Sequence, residues 1–428
     1  MTRSSEMNEQ PSRGTARIAY IVSKYPALNH AFMVREIRAL REGGLQIEVA
    51  SISEPDRHVS ALTEEEKSEA AAAFYVKAQP IGQIFRAHAS TFFSRPGSYC
   101  KGVLEALRLA KFHPRETLFH LFYFAEAVVV GDWMRRKELR HAHVHYATTV
   151  ALIASKIFPV SISATLHGPD EFSNPAATHL KEKIEACTFV IAISDFARSQ
   201  MMLHSDHSQW HKFHVVRLGV DASTLQRLEP RPDPQPFRLL CAARLAPVKG
   251  QHLLLDAIKL LVRRGRNVVL HLAGDGPDRA SLKEQTRQLG IEDRVIFEGF
   301  VNQDRMQRLY SQVDAVVLAS FAEGLPVVLM ESMSLGIPCI STWVNGVPEL
   351  IRDGIDGLTV PPSDAGALAD AIEKLSLDPA LRSRISVAAR ARAKEVVDLT
   401  RNVSRQREIF NECLGIAPEL RKQAMVER

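Results

Sequence analysis

At 428 residues the chain exceeds what one ordinary core fills and fits two domains. Its 46% apolar and 24% charged content is that of a globular protein rather than a disordered one, and a net charge of +5 is too small to imply nucleic acid. No zinc-type spacing or helix-turn-helix pattern supports a nucleic-acid partner either.

Residues 1–15 are polar, lack the apolar core of a signal peptide and are expected to be disordered. The first element, ARIAYIVS, is a β-branched run suited to a buried parallel strand, and HAFMVREIRALREGG follows with helical spacing and two glycines as its stop. LQIEVASI is a second strand. This rhythm predicts a doubly wound α/β sheet over 16–228, blurring into helices between about 60 and 140 and resuming with HAHVHYA, SISATLHG, FVIAIS and FHVVRLG. EPRPDPQP, residues 229–236, alternates prolines that forbid helix and central strand, so it reads as an interdomain linker. The rhythm restarts from 237 and extends to 395. The stretch 396–428 reads as helical and is expected to return to the N-terminal domain.

Cys100, Cys187, Cys241, Cys339 and Cys413 are scattered singly, several in apolar runs, the pattern of free thiols in a reducing compartment. No run of eighteen apolar residues exists, so a cytoplasmic, non-spanning protein is expected. Neither half carries GxGxxG after its first strand, which argues against a dinucleotide dehydrogenase.

Ligands of open α/β sheets sit beyond the carboxyl ends of the strands. At the end of the first strand of the second half stands RLAPVKG, where Arg244 and Lys249 on a short loop before a helix suit a diphosphate. The plainer reading is a solvated loop with two surface cations. In AEGLPVVLMESMSLGIPCIST, Glu323 precedes a helix that contains Glu331. Eight residues of helix span roughly 12 Å, about a nucleotide-sugar from ribose to hexose. The amides of Gly324 and Leu325 and the helix dipole would meet a diphosphate between the carboxylates, with Glu331 on the ribose and Glu323 on the sugar. Against this stands a reading in which Glu323 only caps the helix and Glu331 faces solvent; the apolar VVLM and MSLGIPCI argue against it.

SFAEGLPVVLMESMSLGIPCIST resembles the E-x7-E signature of the family-4 retaining glycosyltransferases, and ARLAPVKG, HLAGDGP, FEGFV and VPELIRDGIDGLTVPP are similar to that family's segments in their usual order. The resemblance implies a GT-B fold: two Rossmann-like domains, acceptor-side first and donor-side second, facing across a cleft. It implies a nucleotide-diphosphate sugar donor, with Arg244 and Lys249 on its diphosphate, Glu331 on the ribose, Glu323 at the sugar near the reacting carbon, and the base against Gly299, Phe300 and Val301. No metal or other cofactor is expected.

TLHGPDEF is similar to the family's HGxD segment and implies a role for His167 at the donor sugar, with Asp170 beside it. His141, His143 and His145 alternate on one strand and share a face, which invites a metal reading; the sequence places no carboxylate or cysteine beside them, so a structural role is preferred. The start of the chain is similar to glycosyltransferases of bacterial exopolysaccharide and colanic-acid-type synthesis, but has Asn29, His30, Ala31 and Phe32 where those often carry Ser/Thr-Glu-Thr-Phe. The acceptor is therefore expected to be a glycan or polyprenyl-linked sugar of unspecified identity. Between 77 and 140 basic residues outnumber acidic ones and interleave with Phe85, Phe92 and Phe93, which fits either peripheral contact with anionic membrane or ordinary helices with solvated cationic faces. The alternatives to a transferase are a sugar-nucleotide epimerase of the same architecture and a non-catalytic GT-B scaffold subunit.

Overall fold

The computed structural model describes residues 17–27, 30–111, 113–222 and 235–416. The N-terminal segment 1–15, Asn29 and all but the last two residues of the 229–236 linker lie outside them.

The first half alternates strands β1 (Arg17–Lys24), β2 (Gln46–Ser53), β3 (Phe74–Tyr75), β4 (His141–His145), β5 (Ser161–Leu166), β6 (Cys187–Ala192) and β7 (Phe213–Val215) with helices. Those helices are α1 (Ala31–Glu42), α2 (Glu64–Ala72), α3 (Ile81–Ser94), α4 (Pro96–Leu109), α5 (Pro114–Arg136), α6 (Thr148–Ile157), α7 (Pro169–Phe172), α8 (Leu180–Ala186) and α9 (Asp195–Leu203). The seven strands form one sheet in the order β3-β2-β1-β4-β5-β6-β7, and every recorded pairing is parallel. Alternation along β1 divides its side chains: Ile18, Tyr20 and Val22 face α1, whereas Ala19 and Ile21 enter a second core built on α4, α5 and α6. The blurred stretch after residue 60 is that helical layer. The C-terminal part of α5 is buried from Phe124 to Met134, whereas Leu118, Phe119 and Phe122 on its first turns are exposed.

The second half contributes β8 (Phe237–Ala242), β9 (Val268–Ala273), β10 (Val295–Gly299), β11 (Ala315–Leu318), β12 (Cys339–Thr342) and β13 (Leu358–Val360). Its helices are α10 (Gln251–Arg263), α11 (Arg279–Leu289), α12 (Gln303–Gln312), α13 (Val327–Leu335), α14 (Val347–Leu350), α15 (Ala365–Leu377) and α16 (Pro379–Val396). Six strands pair in the order β10-β9-β8-β11-β12-β13, again in parallel. In both sheets the order reverses beside the first strand, at β1/β4 and at β8/β11, and these two switch points set the ligand crevices.

The last helix, α17 (Leu399–Leu414), leaves the second half and packs on α1. Asp398 caps its first turn by accepting from the Arg401 amide. Arg407 donates to the Gly43 carbonyl at 2.9 Å, and Phe410, fully buried, meets Tyr20, His143 and Phe189 with centroids 6.3, 5.0 and 5.5 Å away. Because α17 closes the α1 face of the first sheet, Phe410→Ala is expected to destabilise that half by about 3–5 kcal/mol. Urea unfolding followed by circular dichroism checks this; an unmoved first transition would mean α17 is not part of that core.

Candidate active site

The loop after β8 carries Arg244 outward and exposed, while Lys249 turns back toward the sheet. Gly250 makes that turn possible, with φ at +62° and a Cβ position only 2.1 Å from the Ala319 carbonyl oxygen, so any larger residue would collide with the end of β11. Lys249 Nζ donates to Glu323 Oε1 at 2.7 Å, and the same oxygen accepts from Ser320 Oγ at 2.6 Å. Glu323 is therefore a buried carboxylate, ion-paired through Oε1 ahead of α13, not a helix cap. Pro326 is the N-cap of that helix. Among the described residues no hydrogen bond is donated by the amides of Gly324 or Leu325.

Glu331 lies within α13 and faces the cleft rather than solvent. Arg35 of α1 reaches it from the other half at 3.0 Å, and the Tyr310 hydroxyl donates to its second oxygen at 2.9 Å. Burial, followed by the Glu331 charge and hydrogen bond, pushes the Tyr310 hydroxyl pKa well up, so it stays a proton donor. Gly299 ends β10 with φ at +68° and its carbonyl accepts from the Gly274 amide; Phe300 is exposed and Val301 is half-buried against the core.

From the first half, His167 follows β5. Its backbone amide donates to Glu171 at 2.8 Å, its ring stacks on Tyr146 with centroids 4.6 Å apart, and burial holds its pKa well below the ordinary value. The Asp170 side chain lies outside the described residues. The His167 carbonyl oxygen lies 2.3 Å from where a Cβ on Gly324 would stand, so the loops of the two halves touch through a position only glycine tolerates. Beside this contact Glu349 of α14 accepts from the amides of Asp195 and Phe196, at 2.9 and 2.7 Å, and from Arg217 at 2.8 Å. A carboxylate on the N-terminus of α9 meets two free amides and the positive end of the helix dipole.

The structure thus brings Lys249, Glu323, Gly324, Leu325, Glu331 and His167 to one cleft, with Arg244 at its rim. Lys249 and Glu323 carry an ion pair with each other, a pairing the sequence reading did not foresee. Arg35, Ser320, Tyr310, Glu171 and Glu349 were also missed. For Glu349 a signal existed, since VPEL stands in a segment that resembles the family; nothing local marks Arg35. A separate small cavity lies behind the cleft, between the first sheet and α17, lined by Phe32, Glu36, Thr165, Leu218, Val403 and Gln406.

Residues 224–392 match the family model described as glycosyl transferases group 1. The second half is a group 1 glycosyltransferase domain. Over 402 residues, 91% of this chain and 98% of the relative, the chain is 25% identical to the putative colanic acid biosynthesis glycosyltransferase WcaL of Salmonella typhimurium. It is 32% identical over 189 residues to the amylovoran biosynthesis glycosyltransferase AmsK of Erwinia amylovora, across 43% of this chain and 46% of that one. Among solved structures, HepE of Anabaena in complex with UDP and glucose superposes with a TM-score of 0.70 at 20% identity, covering 93% of this chain and all of that one. Sucrose-phosphate synthase of Thermosynechococcus elongatus gives 0.72 at 19% identity, covering 94% and 100%. The fold is GT-B. An epimerase of the same architecture gains no support from these likenesses.

Removing the Glu349 carboxylate leaves Arg217 and two amides without their acceptor between the halves. Glu349→Ala is expected to cost about 2–5 kcal/mol of interdomain closure. Small-angle scattering should then show a larger radius of gyration than the wild type; an unchanged radius would mean the remaining contacts between the halves hold them together without Glu349.

Proposed function

We propose that this glycosyltransferase moves a hexosyl group from a nucleotide-diphosphate sugar, with retention of configuration, to a glycan or polyprenyl-linked acceptor in bacterial surface or exopolysaccharide synthesis. The observation that carries the donor reading is the part-buried Lys249–Glu323 pair beside the amides of Gly324 and Leu325, which donate no hydrogen bond among the described residues, with Glu331 following inside α13. A diphosphate arriving there would take Lys249, the two amides and Arg244, while Glu323 turns to sugar hydroxyls and Glu331 to the ribose. The base would rest against Gly299, Phe300 and Val301. HepE, whose complexes contain UDP and UDP-glucose, supports a uridine nucleotide as the first to try.

In the reaction the bond from the anomeric carbon to the phosphate oxygen breaks, and one to the acceptor oxygen forms on the same face. The acceptor proton passes to the departing phosphate. Negative charge grows on the diphosphate, where Arg244, Lys249 and the amides of Gly324 and Leu325 offer fixed positive partners. This chain's own cations would serve that purpose without a metal ion or other cofactor. His167 and Glu323 would hold the sugar, and closure of the halves would limit loss to water.

Calorimetric titration with UDP, GDP and ADP tests the donor site. One nucleotide should bind selectively, and both Glu331→Ala and Arg244→Ala should weaken it about tenfold or more; if none binds at millimolar concentration, the donor reading fails and a binding scaffold is favoured.

We further propose that the protein works in the cytoplasm, peripherally at the inner face of the cell membrane. No helix among the described residues is long and apolar enough to cross a membrane. Instead α3, α4 and the start of α5 expose Ile81, Phe85, Phe93, Leu104, Leu118 and Phe122, beside Arg86, Arg95, Lys101, Lys111 and Arg115. An apolar face rimmed with cations suits an anionic lipid surface. The protein should float with phosphatidylglycerol vesicles and not with phosphatidylcholine ones, and Phe85→Ser with Phe93→Ser should abolish flotation. Equal recovery with both lipids would remove this part of the proposal.

A further inference from the structure

Behind His167 the first half holds a chain of buried polar groups that the transfer reaction, as described, does not use. Across β4 and β5, His141, His143 and His145 stand opposite Ser161, Ser163 and Thr165. His141 is bonded to Ser161 and Ser163, and His143 to Ser163 and Thr165, each contact at 2.8 Å. Both nitrogens of these two rings are thereby engaged with hydroxyls.

His145 departs from the pattern. Its Nδ1 lies 2.8 Å from His167 Nε2, and its Nε2 faces Glu36 Oε1 at 3.5 Å. Glu36, on α1, accepts from the Tyr20 hydroxyl at 3.1 Å and from Gln406 of α17 at 2.8 Å. Two donated hydrogen bonds, from Gln406 and Tyr20, favour the ionised form of this buried carboxylate. Two buried nitrogens along this line have no hydrogen-bond partner among the described residues: His145 Nε2, just beyond bonding distance of Glu36, and His167 Nδ1.

Glu36, His143 and His145 also stand close enough together to hold a metal ion, which supplies the carboxylate that the sequence reading found missing. The hydrogen bonds argue for another use. Both His143 nitrogens already bond to hydroxyls, and Glu36 Oε1 already accepts two donors. A ligand set would have to give up these bonds in a fully buried site.

We propose that Glu36 and His145 are positioning residues that fix the tautomer of His167. With an ionised Glu36 facing Nε2, the favoured tautomer of His145 carries its proton on Nε2, which leaves the Nδ1 lone pair to accept from His167 Nε2–H. His167 must then present an unprotonated Nδ1, a buried acceptor matched to a hydroxyl proton of the donor sugar. An orphaned acceptor costs stability, and a donor hydroxyl would remove that cost only when the sugar is seated. The assignment of the sugar to His167 rests on the donor reading given above; the tautomer itself does not.

The test begins without substrate. Nitrogen-15 spectra of full-length, histidine-labelled protein, with His167→Gln to assign the resonance, should show His167 protonated on Nε2 and bare on Nδ1. Glu36→Gln should mix or reverse that state, and Glu36→Asp should restore it. With the nucleotide sugar selected by calorimetry, Glu36→Gln should lower kcat at least about tenfold while leaving affinity for the free nucleotide unchanged, because wrong-tautomer histidines lose chemistry rather than binding. The same His167 spectrum in wild type and Glu36→Gln, or a proton on Nδ1 in the wild type, would overturn the proposal whatever the enzyme turns over. A wild type that binds no nucleotide but shows the expected spectra would sink the donor reading and leave the relay standing.

Discussion

Gly324 lies so close to the carbonyl of His167 that no side chain could stand between them. That steric fact fixes the spacing of the cleft, because Gly324 belongs to the loop that carries Glu323 and His167 belongs to the loop that faces it. The other bridges work around this contact. Glu349 sits on the amides at the start of α9, and Arg35 reaches Glu331 along α13. Partly exposed ion pairs are individually weak, so the Arg35–Glu331 pair can open at small cost. The glycine contact cannot be exchanged for anything; it is made or it is broken. An interface of this mixed polar kind suits halves that open and shut.

Charge in the cleft follows the same logic. Lys249 compensates Glu323 and Arg35 compensates Glu331, so neither buried carboxylate carries an uncompensated charge. A diphosphate would compete for Lys249 and release Glu323 toward the sugar in the same movement. Under the proposed donor reading, recognition of the diphosphate and of the sugar would be coupled through that one ion pair. Neither carboxylate acts alone, and removing either would leave a cation without its partner.

The architecture was legible because strands buried on both faces read as continuous apolar runs, as ARIAYIVS and AVVLAS do, and because ligand loops must follow them. Glu323 and Glu331 stood out for a physical reason as well: carboxylates interrupt a segment otherwise too apolar for a solvated helix. What escaped the sequence were partners brought from far along the chain. Arg35 and Glu331 are 296 positions apart, and Gln406 and Glu36 are separated by 370. No local period or spacing encodes such a contact. The histidines of β4 illustrate the limit in one element: alternation correctly put all three on one face, while the carboxylate that gives His145 its direction stands on α1 and had to be seen in three dimensions. The helical layer after residue 60 was hard to parse for another reason. α5 is buried along one part and exposed along another, so no single periodicity describes it.

The last helix changes what closure can mean. The chain crosses between the halves twice, once after β7 and again at the start of α17, and the two crossings are stitched together. The Val220 amide donates to the Val397 carbonyl at 2.7 Å, the Leu399 amide returns to Val220 at 3.3 Å, and Asn402 reaches the Leu218 carbonyl. Two segments of chain bonded side by side make a more constrained hinge between the halves than a single tether would. The same helix supplies Gln406 to Glu36, so the element that defines the hinge also anchors the polar chain ending at His167. Hinge and site are therefore built on one helix, and a disturbance of α17 reaches the cleft without passing through the second sheet.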